Sequence, residues 1–383
     1  MKKIAIIGGG ISGLYIANLL GLNSNYEIKI YEKNNSVNLE KGYGIQLSVN
    51  SIKLLNKIGF QNINLREKFF PSRVNFYSLK DKSKICDLDL SAFNNYGDKY
   101  TTLQRFTLID FLINKLPSKS INYNKRVIEV QSSSEITKVI FEDMSSIECD
   151  YLIISDGAFS KTRSLIANKE IKPSYFNSIA VRGNIDQNDL WNIDHNNISL
   201  FLGSNLHSVV YPVNQNGQFN FVTILKKKLN VEELVDYSLF NSEEFVSSVL
   251  LEVSKQVDSN IIKNLEDIKC FPIFASTKIF QPKNRNTYVI GDAFFTFPPT
   301  FAQGASQSIE VAHELYKNFE NENNRFNKER IKRTKMIDRK SRLNYFAFHL
   351  SNPLMIFVRN LLLKYLVKKN KFINSYLGKI YKN

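Results

Sequence analysis

The sequence predicts an α/β fold in which a domain built on a parallel sheet is interleaved with a second, β-rich domain and followed by C-terminal helices. Three observations predict this fold. The chain begins with a short apolar strand, a glycine-rich turn, a helix and a second strand. Two later apolar strands, residues 151–155 and 287–290, each end where an Asp and a Gly stand side by side. Between them, residues 179–225 form four β-like segments joined by Asn- and Gly-rich turns.

The glycine-rich turn has the spacing of a phosphate-binding loop. Gly8, Gly10 and Gly13 follow the strand of residues 4–7 in the pattern G-x-G-x-x-G, and they open a helix over residues 11–20. Gly8 permits the tight turn, Gly10 lets a pyrophosphate approach the backbone, and Gly13 lets the helix pack close to the strand. The positive end of the helix would then face the phosphates.

An acid follows the second strand at the position that a dinucleotide requires. The strand of residues 27–31 delivers Glu32, 19 residues after Gly13, where a carboxylate can hydrogen-bond a ribose hydroxyl. The alternative for this start is a secretory signal, because Lys2 and Lys3 precede an apolar stretch. Three glycines interrupt that stretch and no small-residue cleavage site follows it, so we expect a dinucleotide-binding domain.

The composition is that of an ordinary globular protein with a basic end. The chain has 383 residues, of which 43% are hydrophobic, and a formal charge of +15. Residues 339–383 contain ten Lys or Arg and no Asp or Glu, which leaves +5 for the rest of the chain. Such an end can contact anionic lipid, nucleic acid or an acidic partner. The alternative is compositional drift, since Lys, Asn and Ile are abundant throughout.

Neither a disulfide framework nor a metal site is predicted. The three cysteines are far apart and lack C-x-x-C spacing, and the four histidines show no metal-ligand spacing. These features fit a reducing cytosol, so a cytoplasmic protein is expected. The apolar run of residues 353–367 is broken by Arg359 and Lys364 and is shorter than the roughly 20 residues that span a bilayer. No transmembrane helix is predicted.

Two short motifs follow the later strands. The first is Asp156-Gly157, with Arg163 further along a helix, and the second is Gly291-Asp292, followed by Ala302-Gln303-Gly304. An Asp at a strand end can hold a ribityl hydroxyl, and a helix that opens at Gly304 can direct its amide dipole to the pyrimidine edge of a flavin. Each motif alone is a weak signal, because a D-G pair is usually only a turn. Together and in this order, the motifs predict a flavin site.

With these motifs, the chain resembles the group A flavoprotein monooxygenases over nearly its whole length. This family includes p-hydroxybenzoate hydroxylase, salicylate hydroxylase and the ubiquinone-pathway hydroxylases. The resemblance implies FAD and NAD(P)H as cofactors, and O2 and a small aromatic molecule as partners, with no nucleic acid. It also implies that NAD(P)H reduces FAD, that the reduced flavin takes up O2 as a C4a-hydroperoxide, and that the distal oxygen is transferred to an electron-rich ring.

The family's functional residues carry over to matching positions. Arg105 resembles its flavin-contacting arginine in an R-x-x-L-x-x-x-L helix, and Asp156 and Gly157 resemble its D-G motif, which serves both FAD and NAD(P)H. The residues expected to bind the cofactors are Gly8, Gly10, Ile11, Ser12, Gly13, Glu32, Lys33, Gly44, Arg105, Asp156, Gly157, Arg163, Gly291, Asp292, Ala302, Gln303, Gly304 and Ala305.

The chain also departs from the family pattern. Phe294 and Phe295 stand in place of the last two residues of the usual G-D-A-A-H, so any role of that histidine is absent. Ala302 replaces the first glycine of the usual G-Q-G, Ser306 replaces the asparagine after it, and Val311 replaces a typical acid. These differences indicate a divergent branch.

The order of the motifs predicts discontinuous domains. The FAD-binding domain, of Rossmann type, is expected over residues 1–70, 100–170 and 275–320, and the substrate domain over residues 71–99 and 171–274. Residues 321–383 are expected to form a C-terminal helical region.

The catalytic candidates are Pro298, Arg182 and Tyr211. Pro298 belongs to a segment that resembles the proline segment lining the flavin in p-hydroxybenzoate hydroxylase, and Arg182 can meet a carboxylate or the cofactor. Tyr211 and His207 lie on a strand expected to roof the pocket, on opposite or uncertain faces, and no base is assigned. The side chains expected to wall a dry pocket, with core packing as the alternative, are Phe294, Phe295, Phe297, Phe301, Pro298 and Pro299.

Three classes of function are open. The first is an FAD- and NAD(P)H-dependent monooxygenase that hydroxylates an aromatic or similar unsaturated small molecule. The second is a related flavin reductase that acts on a lipid or isoprenoid, and the third is a flavin-binding protein without turnover. Apolar and basic residues between Leu354 and Lys368 would let a helix dock on an anionic bilayer at the inner face of the membrane. The alternative is a helix packed on the FAD domain with a solvated lysine face.

Overall fold

The computed structural model describes residues 1–37, 42–133, 135–190, 193–321 and 326–381. The predicted domains also include residues 38–41, 134, 191–192, 322–325 and 382–383, which lie outside this described part.

The strands, in chain order, are β1 (Lys2–Ile7), β2 (Tyr26–Tyr31), β3 (Gly44–Leu47), β4 (Arg73–Ser78), β5 (Lys84–Asp89), β6 (Thr101–Gln104), β7 (Ile121–Asn122), β8 (Val127–Ser132), β9 (Thr137–Phe141), β10 (Ser146–Cys149), β11 (Tyr151–Ile154), β12 (Ser174–Asp186), β13 (Ile198–Leu202), β14 (Leu206–Pro212), β15 (Gln218–Lys226), β16 (Glu266–Ala275) and β17 (Thr287–Val289). The helices are α1 (Ile11–Leu20), α2 (Val49–Asn56), α3 (Arg105–Asn114), α4 (Lys161–Ile166), α5 (Val231–Val235), α6 (Glu243–Ser254), α7 (Ser259–Lys263), α8 (Gly304–Asn321), α9 (Phe326–Phe348), α10 (Pro353–Leu366), α11 (Asn370–Ile373) and α12 (Lys379–Tyr381).

A parallel sheet of five strands, in the order β17-β11-β1-β2-β7, forms the centre of the first domain. Its middle strand is apolar on both faces because both faces are covered. Ile4 and Ile6 pack in a core with α1 and α8, whereas Ala5 and Ile7 pack with the antiparallel sheet β10-β9-β8. This arrangement is the predicted Rossmann-type domain.

The second sheet has seven strands in the order β16-β12-β15-β14-β13-β4-β5. Strands β4 and β5 precede α3, and the other five follow α4, so the chain leaves the first domain twice to build this sheet. The predicted fold class is therefore confirmed, while the residue boundaries of the domains stay a prediction. Alternation along the strands separates two faces. Val181 and Val210 pack with α6 in one core, and Ala180 and Tyr211 point to the opposite side.

Residues 231–264 form three short helices, α5, α6 and α7, and not one long helix. Asn230, Ser242 and Asp258 each accept a backbone N–H with the side chain and so begin a new helix. The caps at Ser242 and Asp258 compete with continuation of the helix before them, which explains why one long helix does not form.

The C-terminal helices close the molecule beside the seven-stranded sheet. After α10, the chain returns through α11 and a π-helical turn, Asn374–Gly378, to α12. Leu377 and Ile380 are buried there, and Arg333 on α9 donates a hydrogen bond to the Ile380 carbonyl at 2.9 Å. Within the described ranges, no helix is both long and apolar enough to cross a membrane.

Candidate active site

The predicted cofactor motifs meet at one edge of the parallel sheet. Ile7 of β1 is paired in register with Tyr31 of β2 and with Ile154 of β11, and Ile154 is paired with Val289 of β17. All four strands therefore end together, and the glycine turn, Glu32, the D-G motif and the G-D motif follow directly from them. A crevice beyond the carboxyl ends of parallel strands is where α/β proteins bind ligands.

The glycines at this edge fall into two groups. At Gly8, Gly13 and Gly291 an added Cβ would collide with the protein: it would lie 2.6 Å from the Ser155 carbonyl, 2.2 Å from the Gly8 carbonyl and 2.3 Å from the Ser12 hydroxyl, respectively. These three positions are needed for close packing, and Gly8 and Gly291 also have positive φ.

The second group of glycines faces open space. An added Cβ at Gly10, Gly157 or Gly304 would meet no described atom within 4 Å. Gly10 is the N-cap of α1, and no side chain caps that helix, while Gly304 is the first residue of α8. The backbone at these positions is therefore accessible to a ligand, and the uncapped start of α1 offers N–H groups to an anion.

Glu32 is held in place by the turn itself. Its carboxylate accepts the Gly9 N–H at 2.8 Å and the Asn34 N–H at 3.0 Å, and the side chain is buried. Lys33, the next residue, is exposed. Of these two predicted residues, the structure fixes Glu32 beside the glycine turn and leaves Lys33 on the surface.

The D-G motif contributes one available acid and one anchored arginine. Asp156 accepts the Thr162 N–H through Oδ2, whereas its buried Oδ1 has no hydrogen-bond partner in the described part of the chain. Arg163 is buried, and its guanidinium donates to the carbonyls of Ala293, Ala158 and Ile171. Arg163 thus joins the D-G motif to the G-D motif. We therefore expect it to affect the cofactor by positioning these two motifs, and not by direct contact as predicted.

Three charged side chains interact beside the G-D motif. Asp292 lines a cavity, where the surrounding protein keeps its carboxylate away from bulk water. This burial raises its pKa to about 6, although the positive charge of Arg105 opposes the shift. Burial and the nearby charge of Arg182 lower the pKa of Arg105. The guanidinium of Arg182 lies 5.7 Å from the centre of the Tyr43 ring. Two cations and one acid therefore converge from α3, β12 and the segment after β17.

A cavity of about 720 Å³ begins at this cluster. Its floor is the segment of residues 292–305 and its roof is the face of the seven-stranded sheet opposite α6, and it continues between that sheet and α10. The lining is largely apolar. Phe297 and Phe301 line it as predicted, together with Pro298, whereas Phe294 and Phe295 do not and pack instead under the parallel sheet.

His207 and Tyr211 both line this cavity. The prediction that they lie on opposite or uncertain faces was wrong, because Tyr211 is four positions after His207 and an even spacing places two side chains on one face of a strand. Burial raises the pKa of Tyr211, so this phenol stays protonated at neutral pH. Gln46 lines the cavity beside it and accepts a hydrogen bond from Tyr100 at 2.7 Å. Gln46 and Tyr100 were not among the site residues predicted from the sequence.

The departures from the family pattern have local consequences. Ala302 has φ of 49°, a left-handed conformation that glycine adopts without strain. The Ser306 hydroxyl accepts the Ser48 N–H at 3.0 Å and lies 2.9 Å from the Ser51 hydroxyl, so it joins α8 to α2. Gly44, another predicted cofactor residue, donates its N–H to the Asn220 side chain at 2.8 Å and joins β3 to β15.

A buried polar network supports the start of α8. Gln303, which lines the cavity, donates to the Ser48 hydroxyl, and Gln307 donates to Gln303 at 3.1 Å and to Glu310 at 3.2 Å. Glu310 in turn accepts hydrogen bonds from Arg330 and Arg333 of α9. The position of Gln303 therefore depends on an ion cluster one helix away.

Comparison with known proteins agrees with this geometry. Residues 1–330 match the family model described as FAD binding domain. The 3-amino-4-hydroxybenzoate 2-monooxygenase of Streptomyces platensis is 24% identical over 316 residues, covering 82% of this chain and 78% of that protein. The 6-hydroxynicotinate 3-monooxygenase of Bordetella bronchiseptica is 23% identical over 328 residues, covering 83% of this chain and 82% of that protein. The crystal structure of Klebsiella pneumoniae HpxO with FAD and uric acid superimposes with a TM-score of 0.81 at 18% identity, covering 99% of this chain and 96% of that one.

The fold and the site define a flavoprotein. The match extends over most of the chain, so the chain belongs to the FAD binding domain family, within the group A flavin monooxygenases. The predicted family, the FAD cofactor and the oxidoreductase class are confirmed. The site also fits FAD, because Gly10, Gly157 and Gly304 leave space at the backbone and Asp156 has a buried, unpaired oxygen in the described structure.

We expect FAD affinity to depend on the protonation of Asp292. A carboxylate accepts hydrogen bonds from a ribityl hydroxyl better than a carboxylic acid does, and the pKa of Asp292 is about 6. FAD should therefore bind more weakly as the pH falls below about 6, and an Asp292→Asn variant should lose this dependence. The measurement is the dissociation constant of FAD from about pH 8 to about pH 5 in both proteins. A wild-type pH dependence that persists in the variant would assign the titration to another group.

Proposed function

We propose that this protein is an FAD- and NAD(P)H-dependent monooxygenase that hydroxylates an aromatic or similarly unsaturated small molecule. One observation carries the proposal: the segment of residues 292–305, which holds predicted flavin contacts, is also the floor of the large apolar cavity. Cofactor and substrate would therefore meet inside one cavity. The names of the relatives, which are monooxygenases of hydroxylated aromatic acids and nitrogen rings, support the same class of substrate.

In this proposal the chain's own residues bind, orient and exclude water. The start of α1 and Gly10 hold the pyrophosphate, and Glu32 holds the adenosine ribose. Arg105 and Asp292 contact the ribityl and flavin region. When bound, FAD supplies the transfer of electrons from the nicotinamide and the activation of O2. The apolar cavity wall keeps water from the reacting atoms.

Two side chains on the roof would orient the ring. Arg182 supplies a positive charge close to Arg105 and Asp292. Tyr211 acts as a hydrogen-bond donor and not as a base, because burial raises the pKa of its phenol. The overall reaction consumes one NAD(P)H, one proton and one O2 for each ring C–H that becomes C–OH, and it releases water and NAD(P)+.

The test uses the FAD-loaded protein with NADH or NADPH in air and a panel of phenols, benzoates and hydroxypyridines. Nucleotide oxidation accelerated by one class of ring, with a product heavier by one oxygen atom, would support the proposal. A product heavier by two hydrogens would instead identify a flavin reductase, for which lipid and isoprenoid substrates belong in the panel. Bound FAD that neither nucleotide reduces would identify a flavin-binding protein without turnover.

We also propose that the protein is cytoplasmic and makes peripheral contact with an anionic membrane, at its inner face, through α10. Seven apolar side chains of α10 are 40% to 69% exposed, and they follow a helical spacing that makes one continuous stripe. Four exposed lysines continue from this stripe, and residues 339–381 hold no acid. The apolar residues are Leu354, Met355, Phe357, Val358, Leu361, Leu362 and Tyr365, and the lysines are Lys364, Lys368, Lys369 and Lys371. Apolar and cationic surfaces in this combination suit an anionic bilayer.

Vesicle binding tests this contact. Each lysine near an anionic surface contributes about 1 kcal/mol, so replacing Lys364, Lys368 and Lys369 by Gln should weaken binding to phosphatidylglycerol-containing vesicles by roughly 100-fold. Replacing Phe357 and Leu361 by Ser should also weaken it. Neutral phosphatidylcholine vesicles are the control. If the wild-type protein fails to sediment with anionic vesicles, the membrane proposal is wrong and α10 carries only a solvated lysine face.

A further inference from the structure

The end of the cavity next to α10 contains a buried cation. Arg359 of α10 lines the cavity and is only 6% exposed. Its Nε and Nη2 donate to the Asn360 side-chain oxygen at 3.1 and 2.9 Å, and its Nη1 donates to the Ala347 carbonyl at 3.2 Å. Over the described ranges of the chain, no carboxylate forms an ion pair with this guanidinium. Its positive charge is therefore not balanced by an acid.

The helix contact does not explain this burial on its own. Ala347 lies in the last turn of α9, so Arg359 interacts with the negative end of that helix. Such an interaction contributes about 0.3 to 1 kcal/mol, and at most about 2 kcal/mol, whereas removing an ion from water costs several kcal/mol. Buried charges in proteins are normally paired. A ligand with an anionic group would supply the missing negative charge.

The surroundings limit where an acid could come from. Among the described residues that line the cavity, the one carboxylate is Asp292, which belongs to the cluster with Arg105 at the flavin end. Residues 339–381, which include all of α10, contain no Asp or Glu. Around Arg359 the lining is apolar, with Val358, Leu362 and Leu363. A ligand that reaches this end therefore needs an apolar body and an anionic group.

The cavity is open at the same helix. Met355, Val358 and Leu362 line the cavity and are also 44%, 40% and 52% exposed, so its apolar wall continues onto the outer surface. A ligand that enters beside α10 would pass these side chains before its ring reached Arg182 and Tyr211. An acid group at the trailing end of such a molecule would remain beside Arg359.

We propose that Arg359 binds a carboxylate of the substrate, and that the substrate is an amphiphilic acid whose ring lies at the flavin end and whose carboxylate lies at α10. This inference rests on the proposed function, which places a ring beside the flavin, and it adds the class of substrate. Arg359 is a specificity-determining residue in this arrangement, because it selects for the acid. In the sequence, Arg359 stands out only as an interruption of an apolar run.

The test compares matched ligands in the FAD-loaded protein. The probes are 8-phenyloctanoate and 8-phenyloctanamide, which carry a ring at one end and an acid or an amide at the other, and which differ in charge and hardly in shape. The readout is the change in the flavin absorbance spectrum on titration. The wild-type protein should bind the acid at least tenfold more tightly than the amide. Arg359→Gln should abolish this preference, and Arg359→Lys should retain part of it. Lys364→Gln, which removes an exposed charge from the same helix, should leave the preference unchanged.

The outcomes separate this proposal from the proposed function. Equal wild-type affinities for acid and amide would overturn the carboxylate site, and this comparison needs no variant to fold. An unchanged preference in Arg359→Gln that retains full FAD content would overturn the role of Arg359. Because the readout is binding, an acid preference that depends on Arg359 stands even if no ring is hydroxylated, and in that case only the hydroxylase proposal fails.

Discussion

Replacing Glu310 by Gln should lower the free energy of unfolding by about 3 to 5 kcal/mol, because it leaves two buried cations without their main counter-charge. Glu310 is 4% exposed, and its carboxylate accepts Arg333 Nε at 2.6 Å and Arg330 Nη1 at 3.2 Å. Burial alone would raise the pKa of Glu310, but the hydrogen bond from Arg333 and the charges of both arginines hold it below its ordinary value of 4.5. The carboxylate is thus ionised and paired in the folded protein.

Glu314 provides the matched control. Its Oε2 lies 3.5 Å from Arg330 Nη1, but its side chain is 32% exposed, and burial and the charge of Glu310 raise its pKa. Because Glu310 is the better paired acid, Glu314→Gln should cost less than about 1 kcal/mol. The measurement is urea unfolding followed by circular dichroism with FAD at saturation. Equal losses in the two variants would mean that the arginines share their charge evenly between the acids.

The stabilisation by the Glu310 carboxylate should depend on pH in a defined direction. A carboxyl group whose pKa is lowered on folding stabilises the protein above its unfolded pKa, and this contribution is lost as the pH falls through the folded value. The stability difference between the wild-type protein and Glu310→Gln should therefore be full at neutral pH and shrink below about pH 4.5.

The cofactor edge of the fold was predictable because its requirements are local. A parallel strand, a turn that needs glycine and a following helix are all encoded within the first residues, and Glu32 must follow the next strand. The two later motifs are encoded in the same way, by an acid and a glycine directly after an apolar strand. Since parallel strands end at one edge, the sequence positions alone indicated that the three motifs would meet.

The far end of the cavity depends on packing between distant segments. Arg359 and Met355 lie more than fifty residues after Gly304, and nothing in the local pattern of α10 indicates that it faces the seven-stranded sheet. Arg163 illustrates the same difficulty, because its carbonyl partner Ala293 is 130 residues away. His207 and Tyr211 are different: strand alternation was sufficient to place them on one face, and the error was in its application.

A Gly10→Ala variant should fold as stably as the wild-type protein and bind FAD at least tenfold more weakly, a loss of about 1.4 kcal/mol or more. Gly10 has φ of −84° and ψ of −177°, an extended conformation that alanine adopts without strain, and an added Cβ would meet no described protein atom within 4 Å. The space beside Gly10 is where a pyrophosphate would approach the backbone. The methyl group would therefore collide with the ligand and not with the protein.

Gly13→Ala is the contrasting variant, since its Cβ would lie 2.2 Å from the Gly8 carbonyl oxygen and 2.6 Å from the Ser155 hydroxyl. It should lower the free energy of unfolding by about 1 to 3 kcal/mol even without FAD, because the helix must move away from the strand. Flavin fluorescence quenching measures FAD binding, and thermal unfolding of the FAD-free proteins measures stability. If Gly10→Ala keeps wild-type FAD affinity, the pyrophosphate does not approach Gly10, and the assignment of the uncapped start of α1 as its binding site is wrong.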